Sequence, residues 1–332
     1  MGPGGNGTVP SQVVPAHHRH EPHVAHHAAD DPAGSGLVVA RRRLLQGGLA
    51  LGALTVGGSM LAACGENETN TQESTDVPAH ALLAAFPQGL PHIPAGVPTR
   101  LPYLVSDSEG VPLSEIQGDV TFTISQDGTE LGTVEAVPRM DGVPRAYLPV
   151  TFTFPEPGLY DLTATYDGSE LDSTIEVVEA SRVGPPVVGE QLPPVDSPTF
   201  DRTLEVDPLC SRVPTCPFHS VNLQDAVGQG KPIVMLIATP AYCQTAVCGP
   251  VLDLVMEATE GRTDLNVLHQ EVYKNPKGQR DLNDAQLAPV PEAYDLRFEP
   301  VLYITDRAGT IVARADVTVD RGELTELLTL AV

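Results

Sequence analysis

Five cysteines carry the nucleophilic chemistry open to this chain of 332 residues: Cys64, Cys210, Cys216, Cys243 and Cys248. A thiolate can attack a disulfide, close a bridge or bind a soft metal, and its pKa and neighbours decide which. Cys243 and Cys248 are five positions apart. Inside one helix that spacing separates Cα atoms by about 8–9 Å, beyond the limit of about 7 Å for a disulfide. A Cys243–Cys248 bridge therefore needs Cys243 on a loop. Pro250 suits a first helical turn, which puts Cys248 at the helix N-terminus, where the dipole favours thiolate. Cys210 and Cys216 bracket Ser211–Thr215 upstream, and His219 and His269 are the imidazoles in that part of the chain. Four cysteines allow three pairings into two bridges; pairing neighbours is the simplest.

The charge balance excludes one class of partner. With 43 acidic against 19 basic residues the net charge is -24, so the chain lacks the basic surface that displaces counterions from nucleic acid. An anionic membrane surface would repel it as well. With 32 Pro and 30 Gly, the composition points to β-structure, turns and linkers rather than a helical bundle.

The elements that must position the cysteines follow from periodicity. Over residues 81–180 the period is two: Val120, Phe122 and Ile124 alternate with Thr and Ser, and Tyr160, Leu162, Ala164 and Tyr166 repeat the pattern. Asp127-Gly128 and Asp167-Gly168 mark hairpin turns, and further strands are expected over 131–137, 147–154 and 171–178. Short strands at this spacing predict an antiparallel sandwich. Residues 181–203 hold five prolines and no periodicity, and read as a semi-rigid linker. From residue 204 strands and helices alternate. Strands are expected over 233–238, 265–272, 301–305 and 310–314, with a short helix over 223–227 and one over 250–260. Asp320 with Glu323 reads as a capping box that opens a last helix.

The first 63 residues read as an address. Residues 1–36 are rich in Gly, Pro and His, with His17, His18, His20, His23, His26 and His27 among them, and form a leader rather than a metal tract. Arg41-Arg42-Arg43-Leu44-Leu45-Gln46 opens an apolar run that ends at Leu61-Ala62-Ala63-Cys64. Its start resembles the twin-arginine export motif, with Ala40 in place of the usual Ser or Thr and Gln46 in place of Lys. Its end resembles the bacterial lipobox. That resemblance implies a signal peptide over 1–63, a diacylglyceryl group on Cys64 and an extracytoplasmic, lipid-anchored location where disulfides persist. Residues 64–80 then form a polar tether.

Two further resemblances concern the body of the chain. Pro157-Gly158-Leu159-Tyr160-Asp161-Leu162 resembles the start of strand F in immunoglobulin-like domains, with Tyr160 at the tyrosine-corner position and Leu162 where a disulfide Cys would stand. Ala238-Thr239-Pro240-Ala241-Tyr242-Cys243, Cys248-Gly249-Pro250 and Phe298-Glu299-Pro300-Val301-Leu302-Tyr303 resemble the thioredoxin family. The whole is similar to actinobacterial exported lipoproteins pairing an immunoglobulin-like sandwich (81–180) with a thioredoxin-like α/β domain (204–332).

The thioredoxin resemblance implies thiol–disulfide exchange at Cys243 and Cys248, with Pro300 as the family's cis-proline and Tyr242 in place of its Trp. Cys243 matches the attacking cysteine by its distance from the preceding strand; Cys248 has the C-G-P context. The family's W-C-G-P-C is replaced by C-x4-C, and Val251 stands where the second thiol would follow. Expected partners are protein thiols and disulfides. No organic cofactor, resident metal, nucleotide or nucleic acid is expected. In an exported domain two bridges among Cys210, Cys216, Cys243 and Cys248 are expected, and sequence does not choose among the three pairings.

Three other readings use the same residues. In a lipid-anchored adaptor without catalysis, both cysteine pairs would be permanent staples. Copper handling of the Sco type would need C-x3-C and a late histidine, and neither His219 nor His269 stands there. Met140 and His92 fit loose surface positions better than copper ligands. A peroxidase would want Thr-x-x-Cys, and Thr239 is one residue too far from Cys243.

Overall fold

The computed structural model describes residues 78–332, Gln244 excepted. The signal, the lipobox with Cys64, the histidine-rich leader and all but the end of the tether lie outside the described residues. No helix among the described residues is long and apolar enough to cross a membrane.

The described residues are mostly β-sheet, in three sheets, with few helices. Eight strands build the first part: β1 (His80–Ala84), β2 (Ile93–Pro94), β3 (Pro98–Asp107), β4 (Val120–Gln126), β5 (Thr129–Ala136), β6 (Leu148–Thr153), β7 (Gly158–Tyr166) and β8 (Ser169–Val178). Strands β1-β3-β6 form one sheet and β2-β8-β7-β4-β5 another. Every pairing is antiparallel except β2 with β8.

The period-two pattern explains the packing. Val120, Phe122 and Ile124 of β4 and Tyr160, Leu162 and Ala164 of β7 turn to a core shared with Leu101, Tyr103 and Val105 of β3. Each fully buried Val, Leu, Ile or Phe among them contributes about 1.5–3 kcal/mol by leaving water. In both Asp-Gly turns the two residues take positive φ (Asp127 49°, Gly128 75°; Asp167 46°, Gly168 77°). That geometry matches the twist of the flanking strands and suits Asp-Gly. At the start of β7 the Tyr160 hydroxyl donates to the Glu156 carbonyl at 2.7 Å, closing a corner back onto the chain four residues upstream.

The second part is a mixed sheet ordered β10-β9-β11-β12. Its strands are β9 (Ile233–Ile237), β10 (Asn266–Gln270), β11 (Val301–Thr305) and β12 (Ile311–Asp316), and only β9 and β10 run parallel. Four helices accompany it: α1 (Leu223–Ala226), α2 (Cys248–Ala258), α3 (Pro289–Ala293) and α4 (Arg321–Leu328). Val234, Leu236, Leu302 and Ile304 pack with α2 and α4, while Ile233, Met235, Ile237 and Tyr303 pack with α1 and α3. Burial on both faces is why β9 reads as an unbroken apolar run rather than an alternating one.

The stretch expected as a semi-rigid linker, 181–203, packs along the mixed sheet. Gln191 bridges Thr310, Ile311 N donates to Glu190 O, and Leu192 is fully buried against the second sheet. Prolines set its extended shape, but its apolar residues find a surface to cover.

The two parts also meet through buried polar groups. Arg100 of β3 grips Glu323 of α4 through Nε–Oε1 at 2.5 Å and Nη2–Oε2 at 2.7 Å, and donates to the Thr318 carbonyl at 2.7 Å. Burial works against the charge on both, but each holds its partner ionised: Glu323 sits below the usual carboxylate range and Arg100 above the usual guanidinium one. The Asp320 side chain accepts from Glu323 N at 2.8 Å, which is half of a capping box. The other half is replaced. Tyr147 Oη accepts from Asp320 N at 2.7 Å and donates to Glu323 at 2.5 Å.

Candidate functional site

Strand β9 ends at Ile237, and a loop carries the chain through Tyr242 and Cys243 to the first residue of α2, Cys248. A short turn shapes the loop: Tyr242 N donates to Thr239 O at 3.0 Å. Cys243 and Cys248 are joined by a disulfide, with Cα atoms 6.1 Å apart. The two sulfurs meet different surroundings. Cys243 is half-buried on the loop, with Thr245 Oγ1 3.3 Å from its sulfur; Cys248 is fully buried beneath the helix start.

Glu299 completes the group. Its Oε2 lies 3.4 Å from Cys248 Sγ and accepts from Thr239 N at 2.5 Å. Burial pushes the Glu299 carboxyl up to about 7; the nearby Glu271 charge adds to the rise, and the Thr239 amide and His269 oppose it. When the bridge is reduced, the Cys248 thiol is placed to donate to this carboxylate. A base poised near neutral pH beside a buried thiol is what proton removal from that thiol requires.

Pro300 follows Glu299 at the head of β11; it is buried and its peptide bond with Glu299 is cis. Tyr242 is half-buried beside Cys243. A cleft next to the carboxylate is lined by Tyr273, Leu287, Arg297, Phe298 and Glu299 itself.

The other cysteines are placed differently. Cys210 and Cys216 do not form the neighbour bridge; both are free and buried, with Cys210 Sγ 3.7 Å from His269 Nδ1 and Cys216 Sγ 3.3 Å from His219 Nε2. Met140 and His92 are not drawn to either group. His92 is buried against Asp316, Nε2 to Oδ2 at 3.2 Å, and Met140 is exposed.

Glu299 was not singled out from the sequence. Its separation from Cys248, 51 positions, leaves no local trace. The signal that could have found it is its place directly before Pro300, in the motif that carries the thioredoxin resemblance.

No protein-family model matches the sequence, and no curated protein is similar to it. Among solved structures, an engineered protein is 25% identical over 30% of this chain and 20% of its own, with a TM-score of 0.22. An endo-β-1,4-mannanase double mutant from Cellulomonas fimi is 25% identical over 29% of this chain and 18% of its own, with a TM-score of 0.19. A superoxide reductase (neelaredoxin) from Ignicoccus hospitalis is 13% identical over 30% of this chain and 80% of its own, with a TM-score of 0.20. The chain spans about a fifth of the first two structures. Likenesses this slight carry no argument about fold or function.

Proposed function

We propose that residues 204–332 form a thioredoxin-like domain that exchanges disulfides through Cys243 and Cys248. An immunoglobulin-like sandwich carries it, and a lipid on Cys64 holds it outside the cytoplasmic membrane. The observation that carries the reading is the bonded pair itself: a half-buried sulfur on a loop, a buried sulfur at a helix start, and a carboxyl with a pKa near 7 against the buried one. The 2-1-3-4 order of the four-stranded sheet, counted from β9, supports the fold. The corner made by Tyr160 supports the sandwich.

In the reduced protein the Cys243 thiolate attacks one sulfur of a substrate disulfide. A mixed disulfide forms and the other substrate sulfur leaves as a thiolate. Glu299 then accepts the proton of Cys248, whose thiolate attacks Cys243 Sγ. The second substrate thiolate departs, the substrate has gained two electrons, and the Cys243–Cys248 bridge is restored. A dithiol reductant returns the bridge to thiols by the same steps in reverse. Tyr242 and the cleft beside Glu299 would bound the substrate peptide.

Trapping tests this. Cys248→Ser leaves the first attack intact and removes the second, so mixed disulfides should accumulate on Cys243 and vanish in Cys243→Ser. Recovery of no trapped partner from intact cells by either variant would leave the adaptor reading in its place. Mass analysis of Cys64 from membrane fractions tests the anchor, with an acylated N-terminal cysteine expected.

A further inference from the structure

We infer that Cys210, Cys216, His219 and His269 form a closed, tetrahedral site for a borderline divalent cation of the zinc class, separate from the exchange pair. The four donor atoms lie within 4.8 Å of one another. Cys216 Sγ is 3.3 Å from His219 Nε2 and 3.4 Å from His269 Nδ1; Cys210 Sγ is 3.7 Å from His269 Nδ1; the two imidazole nitrogens are 3.3 Å apart. A tetrahedral zinc ion, with bonds of about 2.3 Å to sulfur and about 2.0–2.1 Å to nitrogen, sets donors about 3.3–3.8 Å apart. These four spacings fall in that range.

The surroundings fit ligation better than packing. All four side chains are buried: Cys210 is 7% exposed, His219 1%, Cys216 and His269 0%. His269 Nε2 donates to the Ala238 carbonyl at 2.9 Å, which can only accept. That fixes the tautomer and leaves the Nδ1 lone pair aimed at the two sulfurs and His219, the arrangement that orients metal-bound imidazoles. The site has four protein donors and no open position, so it is a clamp and not a catalytic centre.

The fold gives the clamp work. Residues 183–222 contain no helix or strand, yet Val206, Cys210, Ser211, Cys216 and His219 of that stretch are buried. An irregular segment of that length needs something to hold it inside. Hydrogen bonds tie it to β10 and the residues that follow: His269 N to Phe218 O at 3.0 Å, Ser211 N to Glu271 Oε1 at 2.6 Å, Asp207 N to Lys274 O at 2.7 Å and Asn275 Nδ2 to Glu205 O at 3.2 Å. A cation bound by three residues of the segment and one of β10 would complete the attachment, with both thiols releasing their protons to solvent. Ser211 Oγ also accepts from Ala241 N at 3.1 Å, so the clamped segment supports the loop that carries Cys243.

The test uses the full chain, purified without chelator and titrated with cobalt(II), then zinc. About one cobalt per chain is expected, with the intense visible bands of a tetrahedral site and sulfur-to-cobalt charge transfer, all displaced by zinc. Cys216→Ser and His219→Gln should each weaken binding by at least the order of 10–100-fold seen on disturbing metal surroundings. Cys243→Ser/Cys248→Ser should leave the spectrum unchanged, so failure of the exchange reading would not touch this one. Should the ligand variants fail to fold, alkylation decides: Cys210 and Cys216 must be protected by zinc and exposed by a chelator. A cobalt spectrum of octahedral type, loss of the site with the exchange pair, binding of copper(I) without cobalt, or a Cys210–Cys216 disulfide in the isolated protein would each overturn the assignment.

Discussion

The two cysteine pairs of the C-terminal part differ by one residue in spacing and by nearly everything in surroundings. Cys243 and Cys248 are bonded, with one sulfur half-buried and a carboxyl against the other. Cys210 and Cys216 are unbonded and buried, and meet two imidazoles. A carboxylate beside a buried thiol removes its proton on demand, which suits exchange. Imidazole lone pairs beside two thiols present a ligand set, which suits a cation. Spacing alone does not separate these chemistries; the third and fourth groups do.

The largest effect is expected from Cys243→Ser/Cys248→Ser, which should bring disulfide reduction by the protein down to the uncatalysed rate while far-UV circular dichroism stays unchanged. Exchange that survives in this variant would assign it to the other pair.

Next in size is Glu323→Ala, which strips the partner from Arg100. An uncompensated buried charge should cost about 3–5 kcal/mol in chemical denaturation, and neither cysteine pair contributes to that loss. Replacing both partners by apolar residues should recover most of it, since pairing rather than charge is what the interface requires.

Glu299→Gln sharpens the comparison inside the exchange site. With the native carboxyl near 7, resolution of the mixed disulfide should speed up as pH rises through 7, because only the ionised form accepts the Cys248 proton. Burial sets that midpoint first; the Glu271 charge raises it further and the Thr239 amide and His269 lower it, and Tyr273 faces the same carboxyl. The Gln variant should flatten the profile and slow resolution about a hundredfold, the lower end for a lost general base. Rapid-quench trapping of the mixed disulfide measures it. The first attack by Cys243 should be unaffected.

The smallest effect belongs to the sandwich. Tyr160→Phe removes the hydroxyl that bonds Glu156 and should cost about 1 kcal/mol, read from the denaturation midpoint.

Local signals made much of the fold legible. Alternation in β4 and β7, the Asp-Gly turns and the apolar run of β9 each state their strand within a few residues. Helix α2 begins two residues before the expected Pro250, because Cys248 itself opens it. Asp320 announces α4, but the far half of its box could not be read: Glu323 turns to Arg100, 223 positions away. Strands β1, β2 and β3 carry weaker marks, since prolines interrupt β2 and β3. In the sites, the cysteines were visible as residue types and their partners were not. Glu299, His219 and His269 acquire roles only when the sheet brings β10, β11 and the irregular segment together.

On the proposed function, one cysteine pair exchanges electrons and the other does not. A redox titration of the full chain, with free thiols mass-tagged at each potential and mapped by peptide, tests it most directly. Cys243–Cys248 should open at a mild potential, above the roughly −300 mV typical of permanent bridges, while Cys210 and Cys216 stay unlinked throughout. A Cys243–Cys248 bond that resists strong reductant, or a Cys210–Cys216 bond that cycles in its place, would contradict it.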